Sequence, residues 1–147
     1  MVSPDDDVNI VRKIAQRRGR GFIEQALQGD GTEADELTIV SNVGVHPLPL
    51  EFIKGELYPA STGSLDFSST ATVNAEIDKI VKNLTEKLKE KRWRKIYLLP
   101  FGHAVISMNI KMVVFRVLRI ETIEIFYFGD GKYGLIERDT RLSITQE

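Results

Sequence analysis

The fold is decided by residues 95–133, which read KIYLLPFGHAVISMNIKMVVFRVLRIETIEIFYFGDGKY. A short apolar strand opens the stretch and ends at Pro100, because proline has no amide to donate to a sheet. The residues from Ala104 to Leu118 are apolar on nearly every side, which predicts a helix packed on several faces. Thr122–Phe128 is again almost wholly apolar, as in a buried parallel strand. The stretch therefore predicts a βαβ unit whose turn, Pro100–His103, lies where such folds bind ligands.

The flanking sequence extends this unit into a sheet. Leu37–Val43 reads as an earlier strand, and Val73–Arg92 as an amphipathic helix with an apolar stripe at helical spacing. Helix-length crossovers imply parallel strands joined in the right-handed sense. Tyr133–Glu137 and Arg141–Thr145 are predicted as short strands of an antiparallel extension. The fold class expected is α/β: a Rossmann-like three-layer domain with a mainly parallel sheet, a short antiparallel C-terminal extension and an N-terminal helical arm.

The N-terminal part reads as a separate helical element. A helix that opens at Ser3 and Pro4 is expected to break at Gly19–Gly21, and a second short helix spans Phe22–Leu27. The polar, glycine-rich residues 28–36 read as a linker. We therefore divide the chain into an arm, residues 1–30, and a Rossmann-like domain, residues 31–147; the alternative is that these helices cover one face of the sheet.

The segment between the first strand and the long helix has no clear period. Leu48–Leu57 is predicted as a short helix, and Tyr58–Thr72 as a loop rich in Ser, Thr and Gly. Loops of this length are commonly functional or disordered. The hydroxyl groups of this loop either close over a polar ligand as a lid or are simply solvated.

Composition limits the classes of function. The formal charge is −1, so no overall electrostatic attraction to nucleic acid or membrane is expected. The chain has no cysteine, which excludes disulfides, thiolate metal sites and a cysteine nucleophile. No run reaches the roughly 20 apolar residues that span a bilayer, and the N-terminus is acidic where a signal peptide would be basic. The expectation is a cytoplasmic protein with no cofactor, no bound metal and no membrane or direct DNA or RNA contact.

Both histidines of the chain follow predicted parallel strands. His46 comes after the strand 37–43 and His103 after the strand 96–99. If these strands are neighbours, both imidazoles face one crevice at the carboxyl edge of the sheet. The alternative is that they are loop histidines with no role. No Ser-His-Asp order and no carboxylate pair at a diagnostic spacing accompanies them, so an enzyme is not specifically indicated.

The same edge carries groups suited to an anion. Exposed amides at the start of the helix after Gly102 attract phosphates, and glycine permits close backbone approach. Tyr133 could stack on a base or pack its ring on the turn. The alternative for the whole region is an ordinary βα turn. The predicted ligand-binding residues are Asn42, Gly44, His46, Pro100, Phe101, Gly102, His103, Asp130 and Tyr133.

The order of these features resembles the core of the CARF and SAVED sensor domains of prokaryotic antiviral immunity. The resemblance covers about residues 37–135 and consists of an apolar strand, a proline with small residues, a hydrophobic helix and a strand that ends near a Gly-x-Tyr element. Here these are Ile96–Leu99, Pro100, Gly102, Ala104, the helix to Leu118, Ile123–Phe128 and Gly131-Lys132-Tyr133. Trp93 after the long helix, and the strand 37–43 followed by a long loop, fit the same pattern.

The resemblance implies that the chain binds a cyclic oligonucleotide second messenger at the strand ends. Amides near Gly44 and Gly102 would meet phosphates, while His46, His103 and Tyr133 would meet bases or ribose. SAVED proteins usually carry two such units and a fused effector, so a single unit is expected to form a homodimer or larger homo-oligomer. Two alternatives remain open: a metal-independent phosphodiesterase (ring nuclease) with His103 as general acid or base, and a ligand-free oligomeric scaffold subunit.

Overall fold

The chain folds around one five-stranded sheet with the strand order β2-β1-β3-β4-β5. A computed structural model describes residues 4–23, 35–44 and 46–145. The strands are β1 (Asp35–Val40), β2 (Glu56–Pro59), β3 (Trp93–Leu99), β4 (Ile123–Gly129) and β5 (Lys132–Ile136). The helices are α1 (Pro4–Arg18), α2 (Thr70–Leu88), α3 (Ala104–Leu118) and α4 (Thr140–Thr145).

Strand directions confirm the predicted α/β class. β1 pairs in parallel with β2 and with β3, and β3 pairs in parallel with β4. β5 returns antiparallel to β4 through a tight hairpin. This arrangement is the mainly parallel, Rossmann-like sheet with a short antiparallel end that the apolar runs and helical crossovers predict.

One face of the sheet is covered by α2 and α3. Their buried side chains, among them Leu84 and Ile110, pack on Leu37 and Ile39 of β1 and on the alternate residues of β3. Ser69 caps α2, accepting a hydrogen bond from the amide of Thr72 while the Thr72 hydroxyl accepts one from the amide of Ser69. These two hydrogen bonds fix the start of the long helix.

The opposite face has a smaller core without a long helix. Val40, Tyr97, Leu99 and their neighbours are covered by the segment that follows β1, which contributes Leu48, Phe52 and Ile53. The third layer is therefore this irregular segment, with one 3₁₀ turn at Leu50–Phe52. The short helix predicted over residues 48–57 is wrong beyond that turn, because β2 begins at Glu56 and pairs with β1.

Two further predictions are corrected by tertiary pairing. Residues 58–63 are not a free loop: Pro59 ends β2, Ala60 donates to the carbonyl of Val40, and Gly63 donates to that of Val43. Residues 141–145, predicted as a strand, belong to α4. A capping contact favours the helix, since the amide of Thr140 donates to the carboxylate of Glu121 at 2.9 Å.

The helix α3 is less enclosed than its composition predicts. Ile106, Ile110 and Val114 are buried against the sheet, but Met108, Met112 and Phe115 on its outer side are exposed. The prediction that α3 packs on several faces is therefore wrong: within the described part of one chain, only the side toward the sheet is buried.

The N-terminal helix is observed as predicted from Pro4 to Arg18, and Gly19 breaks it with a φ of +82°. Ser3, residues 24–34 and hence most of the predicted second helix and linker lie outside the described residues. Residues 35 and 36 of that linker belong to β1.

Candidate functional site

The carboxyl ends of β1 and β3 form a topological switch point. The two strands are neighbours, and their last residues, Val40 and Leu99, pair directly. After β1 the chain crosses the smaller core and enters β2 on one side, whereas after β3 it enters α3 on the other face and continues to β4. In open α/β sheets such a divergence leaves a crevice that commonly holds the ligand. The predicted Pro100–His103 turn directly follows β3 and so lies at this switch point.

A network of serine hydroxyls lies beneath the switch point. Ser41 lies just past β1 and contacts Ser107 of α3, with 2.9 Å between the two Oγ atoms. Ser61 is buried, and its hydroxyl donates to the carbonyl of Ser41 at 2.5 Å. Ser61 was expected either in a lid or in solvent, and it is instead buried against β1. Sequence reasoning missed Ser41, although a small polar residue directly after a buried strand is a usable signal.

Asn42 and Gly102, both predicted site residues, are in direct contact. Asn42 is only 3% exposed, and its Nδ2 donates to the carbonyl of Gly63 at 2.9 Å. Its Oδ1 is buried and has no hydrogen-bond partner within the described residues. Gly102 has a φ of +86°, and a Cβ placed on it would lie 3.0 Å from the Cβ of Asn42. The turn after β3 thus crosses directly over Asn42, at a distance that only glycine permits comfortably.

The two histidines lie at the exposed rim of the same sheet edge but pack on different rings. His46 makes an edge-to-face contact with Phe101, with ring centroids 5.1 Å apart. His103 lies 4.6 Å from the ring of Phe67, in the segment before α2. Phe101, a predicted site residue, therefore packs on His46. Phe67, which packs on His103, was not predicted from the sequence. The neighbouring strands β1 and β3 bring both imidazoles to one edge of the sheet, but Phe101 belongs to the smaller core and Phe67 packs on the larger one, so each histidine lies toward a different face.

The start of α3 is open toward this rim. His103 occupies the N-cap position in extended conformation and contributes no side-chain capping bond in the described structure. The first amides of a helix have no intrahelical partner, and they carry the positive end of the helix dipole. Ala104 and Val105, which begin the helix, are both exposed. These amides are available to an anion approaching above Gly102.

The remaining predicted residues take two different positions. Pro100 and Gly44 are exposed at the rim, and Gly44 lies beside Gly63 with a φ of +100°. Tyr133 packs between Phe52 and Tyr127 at centroid distances of 5.7 and 5.0 Å, so its ring belongs to the smaller core.

Asp130 stands apart from the crevice. The register places Ile125 level with Leu99, and β4 continues for four more residues to Gly129. At about 3.3 Å per residue the hairpin tip, with Asp130, projects roughly 13 Å beyond the end of β3.

A groove of about 910 Å³ lies at the other end of the sheet, between the starts of β3 and β4 and the helix α4. Its apolar floor includes Phe115, Ile123 and Ile144. Its polar lining mixes both signs of charge: Arg94, Lys95, Arg119, Arg138 and Arg141 alternate with Glu121, Glu137 and Asp139. Because acidic side chains lie among the basic ones, the groove is not a purely cationic site for an anion. It could not be predicted from the sequence, because residues 141–145 were predicted as a strand and not as the helix that lines it.

No helix within the described residues is long and apolar enough to cross a bilayer. The same part of the chain contains no group of three or more His, Asp or Glu side chains that could hold a metal ion.

Together, the described geometry is a topological switch point with an open helix start, a glycine that crosses Asn42, and two exposed histidines packed on phenylalanine rings. Comparison with family models, with curated proteins and with solved structures finds no match for this chain.

Proposed function

We propose that this protein is a nucleotide sensor that binds a cyclic oligonucleotide second messenger at the carboxyl edge of β1 and β3. The observation that carries the proposal is the coincidence of the switch point with the uncapped start of α3, directly above the contact between Gly102 and Asn42. A phosphate is the group that best fits an exposed helix start, because it accepts several hydrogen bonds and is attracted by the helix dipole.

The residues around that point divide the recognition between phosphate and base. Amides of Gly102, Ala104 and Val105 would donate to phosphate oxygens. The rings of His46 and His103, each already fixed against a phenylalanine, offer faces and nitrogen atoms to a base or a ribose. Asn42 supports the turn from below and does not itself need to contact the ligand.

The decisive experiment removes one amide without removing the helix. Ala104 is the first helical residue after the N-cap, where proline is well tolerated because its missing N–H makes no helical bond. His103 has a ψ of 134°, the conformation favoured before proline. In Ala104→Pro, titration calorimetry against cyclic di-, tri- and tetranucleotides should show affinity weakened by about tenfold or more, the value of one charge-assisted hydrogen bond.

Thr70→Pro is the matched control. Thr70 is the first residue of α2, preceded by the extended Ser69, so the substitution makes the same chemical change at a helix that takes no part in the site. It should leave the affinity unchanged. The proposal is overturned if no member of the ligand panel binds, or if the two proline variants lose affinity equally.

Analysis of the ligand after incubation separates a sensor from a phosphodiesterase. His103 is exposed at the start of α3, a position from which it could exchange protons with a bound phosphodiester. An intact ligand supports the sensor. Cleavage that disappears in His103→Ala would instead establish the enzyme.

A further inference from the structure

The outer side of α3 forms an apolar surface that no other part of the described chain covers. Val105, Met108, Met112 and Phe115 recur at intervals of three, four and three residues along the helix. This 3.5-residue spacing is the pattern by which one helix packs along another. The three larger side chains are exposed by 46–64% although they follow the pattern of a buried seam.

The strand β4 extends the same surface beside the helix. Lys111 of α3 forms an ion pair with Glu124, which fixes the helix against this strand. Phe126 and Phe128 follow Glu124 on the same face of β4, because side chains alternate along a strand. Their rings are in edge-to-face contact, with centroids 5.0 Å apart, and they are about half exposed. The helical layer therefore stops short of the outer part of β4.

We propose that this surface is the contact between two copies of the chain, with α3 packed antiparallel to the partner's α3. We call it the outer α3 face, and its members are Val105, Met108, Met112, Phe115, Phe126 and Phe128. A two-fold contact requires one self-complementary patch, and a helix seam packed antiparallel on its own copy meets this requirement. Val105 then lies opposite the partner's Phe115, and Met108 opposite the partner's Met112, so a small side chain meets a large one at each end of the seam and methionines meet at its centre.

The exposed area fits a dimer interface in size. Large side chains of roughly 200 Å² each, about half exposed, give the methionines and phenylalanines of this face on the order of 500 Å² of apolar surface. A standard interface buries about 800 Å² per partner, of which somewhat more than half is apolar. The face alone thus supplies the apolar part of such an interface, and its area matches the largest apolar patch of a typical protein, which is often a binding surface.

The charges around the face permit this contact. The seam itself carries no charged side chain, and Lys111 at its margin is already neutralised by Glu124 and hydrogen-bonded to Thr122. Arg116 borders the depression lined by Met108, Met112 and Phe115. It lies one helical turn past Met112, toward the end of the seam, and Arg119 lies beyond the helix. Docking a second copy therefore buries no uncompensated charge at the middle of the contact, which would otherwise be costly.

Sedimentation velocity of the full chain over a wide concentration range tests the proposal. The chain should dimerise, and Met112→Lys should raise the dimer dissociation constant by at least about 30-fold, as a charge at the centre of an interface does. Val11→Lys is the matched control: Val11, on α1, is similarly half exposed and lies outside the face. It should leave the dissociation constant unchanged. Circular dichroism should show that both variants remain folded, since neither side chain belongs to the core.

Cross-linking tests the antiparallel seam directly, because the natural chain has no cysteine. Under mild oxidation, a mixture of Met108→Cys and Met112→Cys should form the mixed disulfide in higher yield than either variant forms with itself. The interface assignment is overturned if the chain stays monomeric or if the Met112→Lys variant dimerises normally. It is also overturned if the Val11→Lys variant loses the dimer, because that result would indicate α1 as the contact. Preferential self-linking of each cysteine variant would overturn the antiparallel orientation. None of these outcomes depends on whether a nucleotide binds.

Discussion

Gly102→Ala is the substitution that most directly tests the geometry of the crevice. Gly102 combines a left-handed backbone, with φ at +86°, and a close approach to Asn42. An alanine there must adopt a backbone conformation that disfavours a Cβ, and it must also place that Cβ 3.0 Å from the Cβ of Asn42. Asn42 cannot yield freely, because its Nδ2 is hydrogen-bonded to the carbonyl of Gly63. The two costs should therefore add.

The magnitude follows from these two contributions. The left-handed conformation costs a non-glycine residue about 1–2 kcal/mol. Displacing Asn42 and weakening its hydrogen bond costs about 1–1.5 kcal/mol more. The lower entropy of the unfolded chain offsets about 0.5–1 kcal/mol. The free energy of unfolding should fall by about 2 kcal/mol, which lowers the melting temperature by roughly 4–8 °C in a chain of this size.

Urea unfolding of a double-mutant cycle separates the contributions. Gly131→Ala is the control for backbone strain, since Gly131 has a φ of +73° and open space where a Cβ would be; it should cost only about 1 kcal/mol. In an Asn42→Gly background the Cβ of residue 42 is absent, so Gly102→Ala should also fall to about 1 kcal/mol, a coupling of about 1 kcal/mol. The described contact is refuted if Gly102→Ala costs no more than Gly131→Ala, or if its cost is the same with and without the Asn42 side chain.

Two further predictions concern the core and the last helix. Leu84 is fully buried in the centre of α2, so Leu84→Ala should lower the free energy of unfolding by about 3 kcal/mol in urea titrations. Leu142 is exposed, so Leu142→Ala should change the free energy of unfolding by less than about 0.5 kcal/mol. Equal effects of the two substitutions would contradict the assigned core. Glu121 accepts hydrogen bonds from the hydroxyl and amide of Thr140, and these bonds hold the pKa of its carboxyl below the ordinary value. Because the folded pKa is lowered, the contribution of this cap to stability is present above the unfolded pKa and is lost as the pH falls through the folded one. The NMR shift of the Thr140 amide should follow that titration, with a midpoint below that of an ordinary glutamate, and Glu121→Gln should abolish the shift change; a midpoint at or above the ordinary value would contradict the cap.

The main elements of the sheet could be predicted because their signals are local. The apolar run at 96–99, its end at Pro100 and the apolar run at 123–128 identify two strands without any tertiary information. The prediction that the second strand is buried holds only for its first half, since Phe126, Tyr127 and Phe128 are exposed. The long helix, predicted at Val73–Arg92 and observed at Thr70–Leu88, is equally plain, since its apolar stripe repeats at helical spacing. Helical connections between the runs then imply parallel strands. These elements also fix the position of the predicted site at the carboxyl edge.

The errors fall where pairing outweighs local preference. β2 consists of only four residues, Glu56–Pro59, and only its ladder with β1 distinguishes it from a loop. Residues 141–145 have the composition of a short strand, but the capping carboxylate of Glu121, nearly twenty residues earlier, favours a helix. Neither partner can be recognised from the segment itself.

The sequence by itself determined the α/β class, the parallel strands and the edge at which Gly102 and the two histidines lie, because hydrophobic periodicity, proline and glycine act within a few residues of where they stand. Only the tertiary structure decided how that edge is built. Ser41 meets Ser107, and Gly102 crosses Asn42, across separations of about sixty residues, and His103 packs on Phe67 rather than on His46. Such contacts depend on strand order and register, which emerge only when distant segments bury their apolar surfaces together.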